Sequence, residues 1–347
     1  MCIAFYTLSQ PGYKLILASN RDEFLARPTE PAKWHNFSAS PNANGKVDRD
    51  ENEGWVLSGI DAGATNGGTW LGITKDLRIG LLTNNRLTPP IPPFKPSLNP
   101  PSRGLLLKEF LSPKPENAPQ VHQYLKSHYK SSNEYEGFNL LLFSLRNPNP
   151  EIGYLTNRPE PHLSNLHIPL TINNHDDFSI KCFGISNSPM NKPWPKVENG
   201  QKQMEKNLKQ WKLNNENEKQ LINRMFDILS PNIPIKTEND SKLSIQIPLI
   251  NLSSHLTNSP IDNKINKINE ENPTVSIDTN TNTNVLEEDK LKMKSKWYGT
   301  RTSTIILIKD NGETIFVERD ILILDQNGNP KKGNDERWFN FKGDIII

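Results

Sequence analysis

A cysteine at position 2 leads straight into a β-hairpin, and that start limits the folds open to this chain. Residues Ile3 to Leu8 and Tyr13 to Ser19 are apolar, β-prone runs joined across Ser9-Gln10-Pro11-Gly12, which is turn chemistry. The amino-terminal end is therefore expected to be held by a sheet rather than to trail in solvent. No basic segment precedes the first run and Pro11-Gly12 ends it early, so a cleaved secretory leader is not expected.

The rest of the chain reads as strands, then helices, then strands again. Trp55 to Ile60, Thr69 to Thr74 and Leu77 to Thr83 form a meander, with a Gly-rich turn between the first two runs. Seven prolines crowd Pro89 to Pro101, a loop, and helical spacing follows over Arg103 to Leu111 and Ala118 to Tyr129. Phe138 to Leu145, Ile152 to Thr156 and Phe178 to Ile185 read as strands, Lys196 to Trp211 and Glu218 to Leu229 as helices. From about 236 to 290 the chain is rich in Asn, Thr, Ser, Asp and Lys, and is expected to be a loosely held insertion that lacks the apolar surface to offset its ordering entropy. Strands resume at Ser303 to Lys309, Thr314 to Arg319 and Ile321 to Leu324, and these need partners in the earlier sheet. Residues 1–347 are thus expected to be one α+β domain rather than a βαβ array.

Charge excludes some partners. Forty-one Lys and Arg against 39 Asp and Glu give a formal +2 with no long run of one sign, so a nucleic-acid role has no electrostatic footing. Hydrophobic residues are 34% of the chain, a value the Asn-rich stretch dilutes. Two cysteines, Cys2 and Cys182, suit a reducing compartment, and no segment nears the roughly 18 apolar residues of a membrane span. A cytoplasmic location is expected, with any Golgi, mitochondrial or other membrane association peripheral or by import.

Cys2 is the most informative position. Removal of Met1 would leave Cys2 with a free α-amine of pKa about 7.7 to 8.0, so that one residue holds nucleophile and base together. It also reads as the first small residue of a buried strand. Asn20-Arg21-Asp22-Glu23 ends the second run, and strand alternation sends Arg21 and Glu23 to one face and Asn20 and Asp22 to the other. Asp22 is placed to hold the amine, and Arg21 to bind a carboxylate, phosphate or oxyanion through its planar fork. The Gly-rich turn lacks a phosphate-loop ending and leads into a strand. Histidines 122, 128, 162, 167, 175 and 255 have no metal-ligand spacing with the cysteines, and His162 and His167 read as loop residues. Cys182 reads as a buried structural thiol. Arg86, Arg103 and Lys196 read as surface cations or as the mouth of a pocket.

Met1-Cys2, the Asn20-Arg21-Asp22-Glu23 tetrad, Gly68-Thr69-Trp70-Leu71-Gly72-Ile73, Leu82-Thr83-Asn84, Gly137-Phe138-Asn139-Leu140, Gly184-Ile185-Ser186-Asn187 with Pro193-Trp194-Pro195-Lys196, and Tyr298-Gly299-Thr300-Arg301-Thr302-Ser303-Thr304 together resemble the transport and Golgi organisation protein 2 family, or NRDE domain. The resemblance covers about residues 1–235 and 295–345. It implies an N-terminal nucleophile hydrolase-like, four-layer αββα sandwich of antiparallel sheets. It further implies Cys2 as nucleophile, Asp22 as amine partner, Asn187 as oxyanion donor and Arg301 as a charged support. Asn20, Arg21, Glu23 and Asn84 are the expected ligand-binding residues. In the related hydrolases an Arg stands just ahead of the Asn-x-Asp triplet, where this chain has Ser19. The family is linked to Golgi organisation and secretion, to lipid or acyl-coenzyme A handling and to haem movement. The expected reaction is amide or thioester hydrolysis, or acyl transfer, through an acyl-Cys2 intermediate. Alternatives are a non-catalytic carrier of acyl-coenzyme A or haem, and an interaction protein working through the insertion. No cofactor or metal is expected to be required, haem being a cargo.

Overall fold

A computed structural model describes residues 2–37, 54–64, 66–87, 100–146, 150–166, 180–252 and 297–343. The opening hairpin is β1 (Ile3–Thr7) and β2 (Tyr13–Phe24), and β3 (Thr29–His35) follows. The meander is β4 (Val56–Asp61), β5 (Leu71–Thr74) and β6 (Arg78–Asn84), and then come helices α1 (Gly104–Leu111) and α2 (Val121–Tyr129). Next are β7 (Phe138–Ser144), β8 (Glu151–Thr156), β9 (His162–Leu166) and β10 (Cys182–Ile185), then helices α3 (Pro195–Leu213) and α4 (Glu218–Leu229). The chain continues through β11 (Ile250–Asn251), β12 (Trp297–Lys309), β13 (Glu313–Asp320), β14 (Leu322–Leu324), β15 (Pro330–Lys332) and β16 (Glu336–Lys342).

These strands build two antiparallel sheets, in order β10-β1-β2-β12-β13-β16, with β11 also on β12, and β3-β4-β5-β6-β7-β8-β9. Each sheet is buried on both faces, which is why runs such as Ile305-Ile306-Leu307-Ile308 are apolar without a break. Ala4, Tyr6, Leu15, Leu17 and Ile306 point inward against Leu57, Ile73, Ile79, Leu141 and Phe143 of the other sheet. Their strand neighbours Ile3, Phe5, Ile16 and Ile305 point outward onto Val197, Met204, Leu208 and Leu221 of α3 and α4. On the far side, Leu140, Leu142 and Leu155 meet Leu106, Phe110 and Leu125 of α1 and α2. The result is the four-layer αββα order, with the strands after the insertion pairing into the first sheet through β2 and β12 as expected.

Three strands lack a strong local signal. Pro31 interrupts β3, the apolar content of β9 is only His162-Leu163-Ser164-Asn165-Leu166, and β16 carries Glu336, Arg337, Asn340 and Lys342. His162, read as a loop residue, lies on edge strand β9, where its Nε2 is 2.7 Å from the Ser164 hydroxyl. His167, His175 and His255 lie outside the described residues.

The expectation of a loose insertion from 236 needs correction in its first part. Residues 236–252 are built into the domain: Ser241, Ser244, Ile245, Ile247 and Ile250 are buried, and β11 pairs with β12. Three isoleucines within six positions supply the apolar surface that average composition hides. Residues 253–290 lie outside the described residues.

Candidate functional site

Register places the site. Ile3 sits opposite Asn20 across the hairpin, so Cys2 lies beside Arg21 and Asp22, and β12 brings Thr300 opposite Asp22 from the other side. A cavity of about 380 Å³ opens there, lined by Cys2, Arg21, Asp22, Glu23, Trp70 and Asn84 among others. Its rim includes the close approach of two backbones: a Cβ on Gly68, which has φ of +146°, would lie 2.9 Å from the carbonyl carbon of Gly104. Only glycine allows the turn after β4 to seat the start of α1 at the cavity.

Burial holds the Cys2 thiol above its ordinary value, against the amino-terminal charge, a hydrogen bond from the Asp22 backbone N–H and the charge of Arg21. Asp22 is buried too, and desolvation raises its carboxyl against the pull of the amino-terminal charge, Lys196, the Thr300 hydroxyl and Arg86. Thr300 Oγ1 donates to Asp22 Oδ1 at 2.5 Å, and the Tyr298 hydroxyl donates to the Asp22 carbonyl at 3.2 Å. Cys2 and Asp22 therefore share one electrostatic neighbourhood.

Four arginines surround this point and differ in what holds them. Arg27 makes a two-pronged ion pair with Asp61 at 2.9 Å, and Arg103 pairs with Glu136 at 3.2 Å. Arg301 donates to the carbonyl of Arg27 at 2.6 Å, to that of Phe24 at 3.3 Å and to Thr29 Oγ1 at 3.1 Å. Arg21 is 4% exposed and lies 3.8 Å over the Trp70 ring, and among the described residues its side chain makes one hydrogen bond, to Thr29 Oγ1 at 3.2 Å. Its guanidinium keeps donors to spare at the cavity wall.

Several expectations change here. Asn20 is not in the cavity: its amide donates to the Leu229 and Ile245 carbonyls at 2.9 and 3.2 Å and accepts from Ser303 at 2.6 Å, tying β2 to α4. Arg301 braces the backbone after β2 and is absent from the cavity lining, because the carbonyls at the end of β2 capture its fork. Asn187 is buried, and donates to the Asn84 carbonyl at 2.7 Å, while its own carbonyl accepts from Arg86 N at 2.9 Å. It fixes Asn84, which does line the cavity, rather than lining the cavity itself. Glu23 lines the cavity, with its carboxylate 4.0 Å from Arg27. Arg21 turns to Trp70 and Asn20 to the helices as alternation expects, while Asp22, expected on the face of Asn20, also lines the cavity.

The distant motifs meet through one polar cluster. Asn139 donates to Thr83 Oγ1 and to the carbonyls of Ser186 and Ser188 at 3.0 to 3.1 Å, and Ser186 Oγ donates to the Cys2 carbonyl at 2.8 Å. Lys196 is the residue whose place the sequence conceals most: it is fully buried on the helix side of Asp22, not at a surface. Cys182 is buried in the outer core and its thiol is pushed up by desolvation. Among the described residues no group of three or more His, Cys, Asp or Glu side chains could hold a metal ion, and no helix is long and apolar enough to cross a membrane.

The family model described as Transport and Golgi organisation 2 matches residues 1–322. This chain belongs to the Transport and Golgi organisation 2 family. The mouse Transport and Golgi organization 2 homolog is 28% identical over 335 residues, covering 94% of this chain and 95% of the mouse protein. The human homolog is 27% identical with the same coverage, and the Drosophila melanogaster Transport and Golgi organization protein 2 is 30% identical over 59% of this chain and 64% of its own. Among solved structures, a mutant of the conjugated bile acid hydrolase from Clostridium perfringens aligns over 100% of this chain and 99% of its own, at TM-score 0.37 and 11% identity. A Caenorhabditis elegans ortholog of N-acylethanolamine-hydrolyzing acid amidase covers 68% of this chain and 88% of its own, at TM-score 0.36 and 13% identity. Within the Transport and Golgi organisation 2 fold, the tetrad divides its work: Arg21, Asp22 and Glu23 face the cavity, and Asn20 holds the sheet to a helix.

Proposed function

We propose that this protein is an N-terminal cysteine hydrolase or acyltransferase that cuts an amide or thioester of an anionic acyl compound. The observation that carries this reading is the convergence, in one cavity, of Cys2, Asp22 and an Arg21 with unused donors. After loss of Met1, the α-amine of Cys2 takes the thiol proton, and the thiolate attacks the acyl carbonyl carbon. The C–N or C–S bond breaks, the leaving amine or thiol receives the proton from the α-ammonium, and water or an acceptor then releases the acyl group and restores the thiol. Arg21, stacked on Trp70, binds the anionic group of the substrate. This chemistry requires no cofactor.

A second reading, a non-catalytic carrier of acyl-coenzyme A or haem, is favoured by the engagement of Asn187 and Arg301 elsewhere. In either reading the protein acts in the cytoplasm, with peripheral association at Golgi or mitochondria and a role in Golgi organisation and secretion that the family name suggests.

Intact mass and thiol release separate the two. The full chain is incubated with acetyl-, succinyl- and palmitoyl-coenzyme A; the enzyme reading expects loss of Met1, an acyl adduct on Cys2 and released coenzyme A. Cys2→Ala is expected to keep the fold and lose adduct and release by at least about a hundredfold. Retained Met1, or reversible binding with Cys2 unmodified, overturns the enzyme reading in favour of the carrier. Arg21→Ala is expected to weaken capture in both readings by about tenfold, the scale of one charged hydrogen bond.

A further inference from the structure

Lys196 stands where a lysine is doubly disfavoured. It is 0% exposed, and it occupies the first turn of α3, just after Pro195, where the helix dipole favours acidic side chains. Among the described residues its Nζ has no hydrogen-bond partner, although it lies 5.5 Å from the centre of the Trp194 ring. A buried ammonium without hydrogen bonds is costly unless a charge answers it. Gly200 of α3 packs on Phe5, Val197 on Gly184, and Glu205 accepts from Cys182 N, so the helix runs back along β10 and its first turn, with Lys196, comes over the Cys2 end of β1, where the charges that answer it are Asp22 and Cys2. Helix and strand therefore bring toward Asp22 a cation that the cavity lining does not include.

We infer that Lys196 is a positioning residue that shares the negative charge of Asp22, leaving the Cys2 α-amine free to give up its proton and act as base. This rests on the reading of Cys2 as nucleophile. Without a second cation, Asp22 would answer the α-ammonium alone and hold its proton more tightly. With Lys196 present, two cations work against the burial that pushes the Asp22 carboxyl up, and the thiolate of Cys2 gains a second nearby positive charge. Burial pulls the Lys196 ammonium down to about 8 while Asp22 and Cys2 hold it up, so at neutral pH it remains largely charged. The other groups facing this cluster are Arg21 and Glu23 on β2, Tyr298 and the Thr300 hydroxyl on β12, Arg86 after β6, and Arg103 at the start of α1.

Alkylation of Cys2 by iodoacetamide, followed by mass across pH 5 to 10 in the Met1-free full chain, tests this without any substrate. Lys196→Met, similar in length and uncharged, is expected to slow Cys2 alkylation at pH 7 by about tenfold and to move its midpoint up by about one pH unit, the scale of one opposite charge nearby. Thermal melting of the same variant is expected to be unchanged or higher, since an apolar chain replaces a buried, unbonded charge. Lys196→Arg is expected to restore part of the alkylation rate. A melting temperature that falls with an unmoved pH midpoint would show a purely structural lysine and overturn the inference. Failure of the nucleophile reading looks different: Cys2 of the unaltered protein would alkylate with the pH profile of an ordinary thiol, and no acyl adduct would form.

Discussion

Asp76→Ala is expected to destabilise the fold by about 3–5 kcal/mol, the cost of leaving a buried charge without its partner. Arg78 and Asp76 are both 0% exposed, with Nε 3.1 Å from each carboxylate oxygen. The guanidinium also reaches the carbonyls that α1 leaves open at its end, donating to Phe110 at 2.5 Å, to Leu111 at 3.5 Å and to Pro113. Arg146 approaches the same carboxylate at 3.6 Å, so the substitution leaves two guanidinium groups facing an apolar gap. Guanidinium chloride unfolding followed by tryptophan fluorescence measures the loss, and a change below about 1 kcal/mol would mean that water enters and solvates Arg78.

Phe5→Ala is expected to cost a similar amount, about 3–5 kcal/mol, because a fully buried ring leaves a cavity that its neighbours fill poorly. The ring lies between two glycines: an added Cβ would come within 2.0 Å of it at Gly200 and 3.0 Å at Gly184. Gly200→Ala tests the same contact with opposite signs in play. Helix propensity alone would gain about 1 kcal/mol, yet overpacking costs about 1–3 kcal/mol, so the variant is expected to lose stability. Pairing it with Phe5→Leu should recover part of that loss; full stability in Gly200→Ala alone would show that α3 shifts freely away from β1. A loosened β1 would also move Cys2, which sits three residues before Phe5, so acyl capture should fall together with stability in Phe5→Ala.

The opening hairpin and the meander were legible because their strands alternate or run apolar between clear turns, and helical spacing marked Arg103–Leu111 and Glu218–Leu229, whereas the four-layer order came only from the family resemblance. Cys2, Arg21 and Asp22 came together because register needs only the turn at Pro11-Gly12 to be placed correctly. Asn20 and Arg301 could not be placed from pattern alone, since what captured them is backbone: the Leu229 and Ile245 carbonyls in one case, those of Phe24 and Arg27 in the other. Lys196 was hidden for a related reason. A lysine in a helix rich in Lys, Glu and Gln looks solvated, and only the docking of α3 on β1 and β10 removes it from water. The Ser244-Ile245-Gln246-Ile247 stretch was lost in the composition around it, although its alternation is that of a buried extended segment.

Asp22 receives its hydroxyl partner from Thr300, 278 positions later in the chain, on a strand that sits at the centre of the first sheet. During synthesis the hairpin of Cys2 leaves the ribosome early and waits for β12 with one edge unpaired. At about 5–20 residues per second, that wait lasts on the order of tens of seconds. Cys2 is thus made long before the pocket around it is complete. A nascent chain stalled before Trp297 holds Cys2 without the β12 side of its pocket, together with an open strand edge for chaperones to guard.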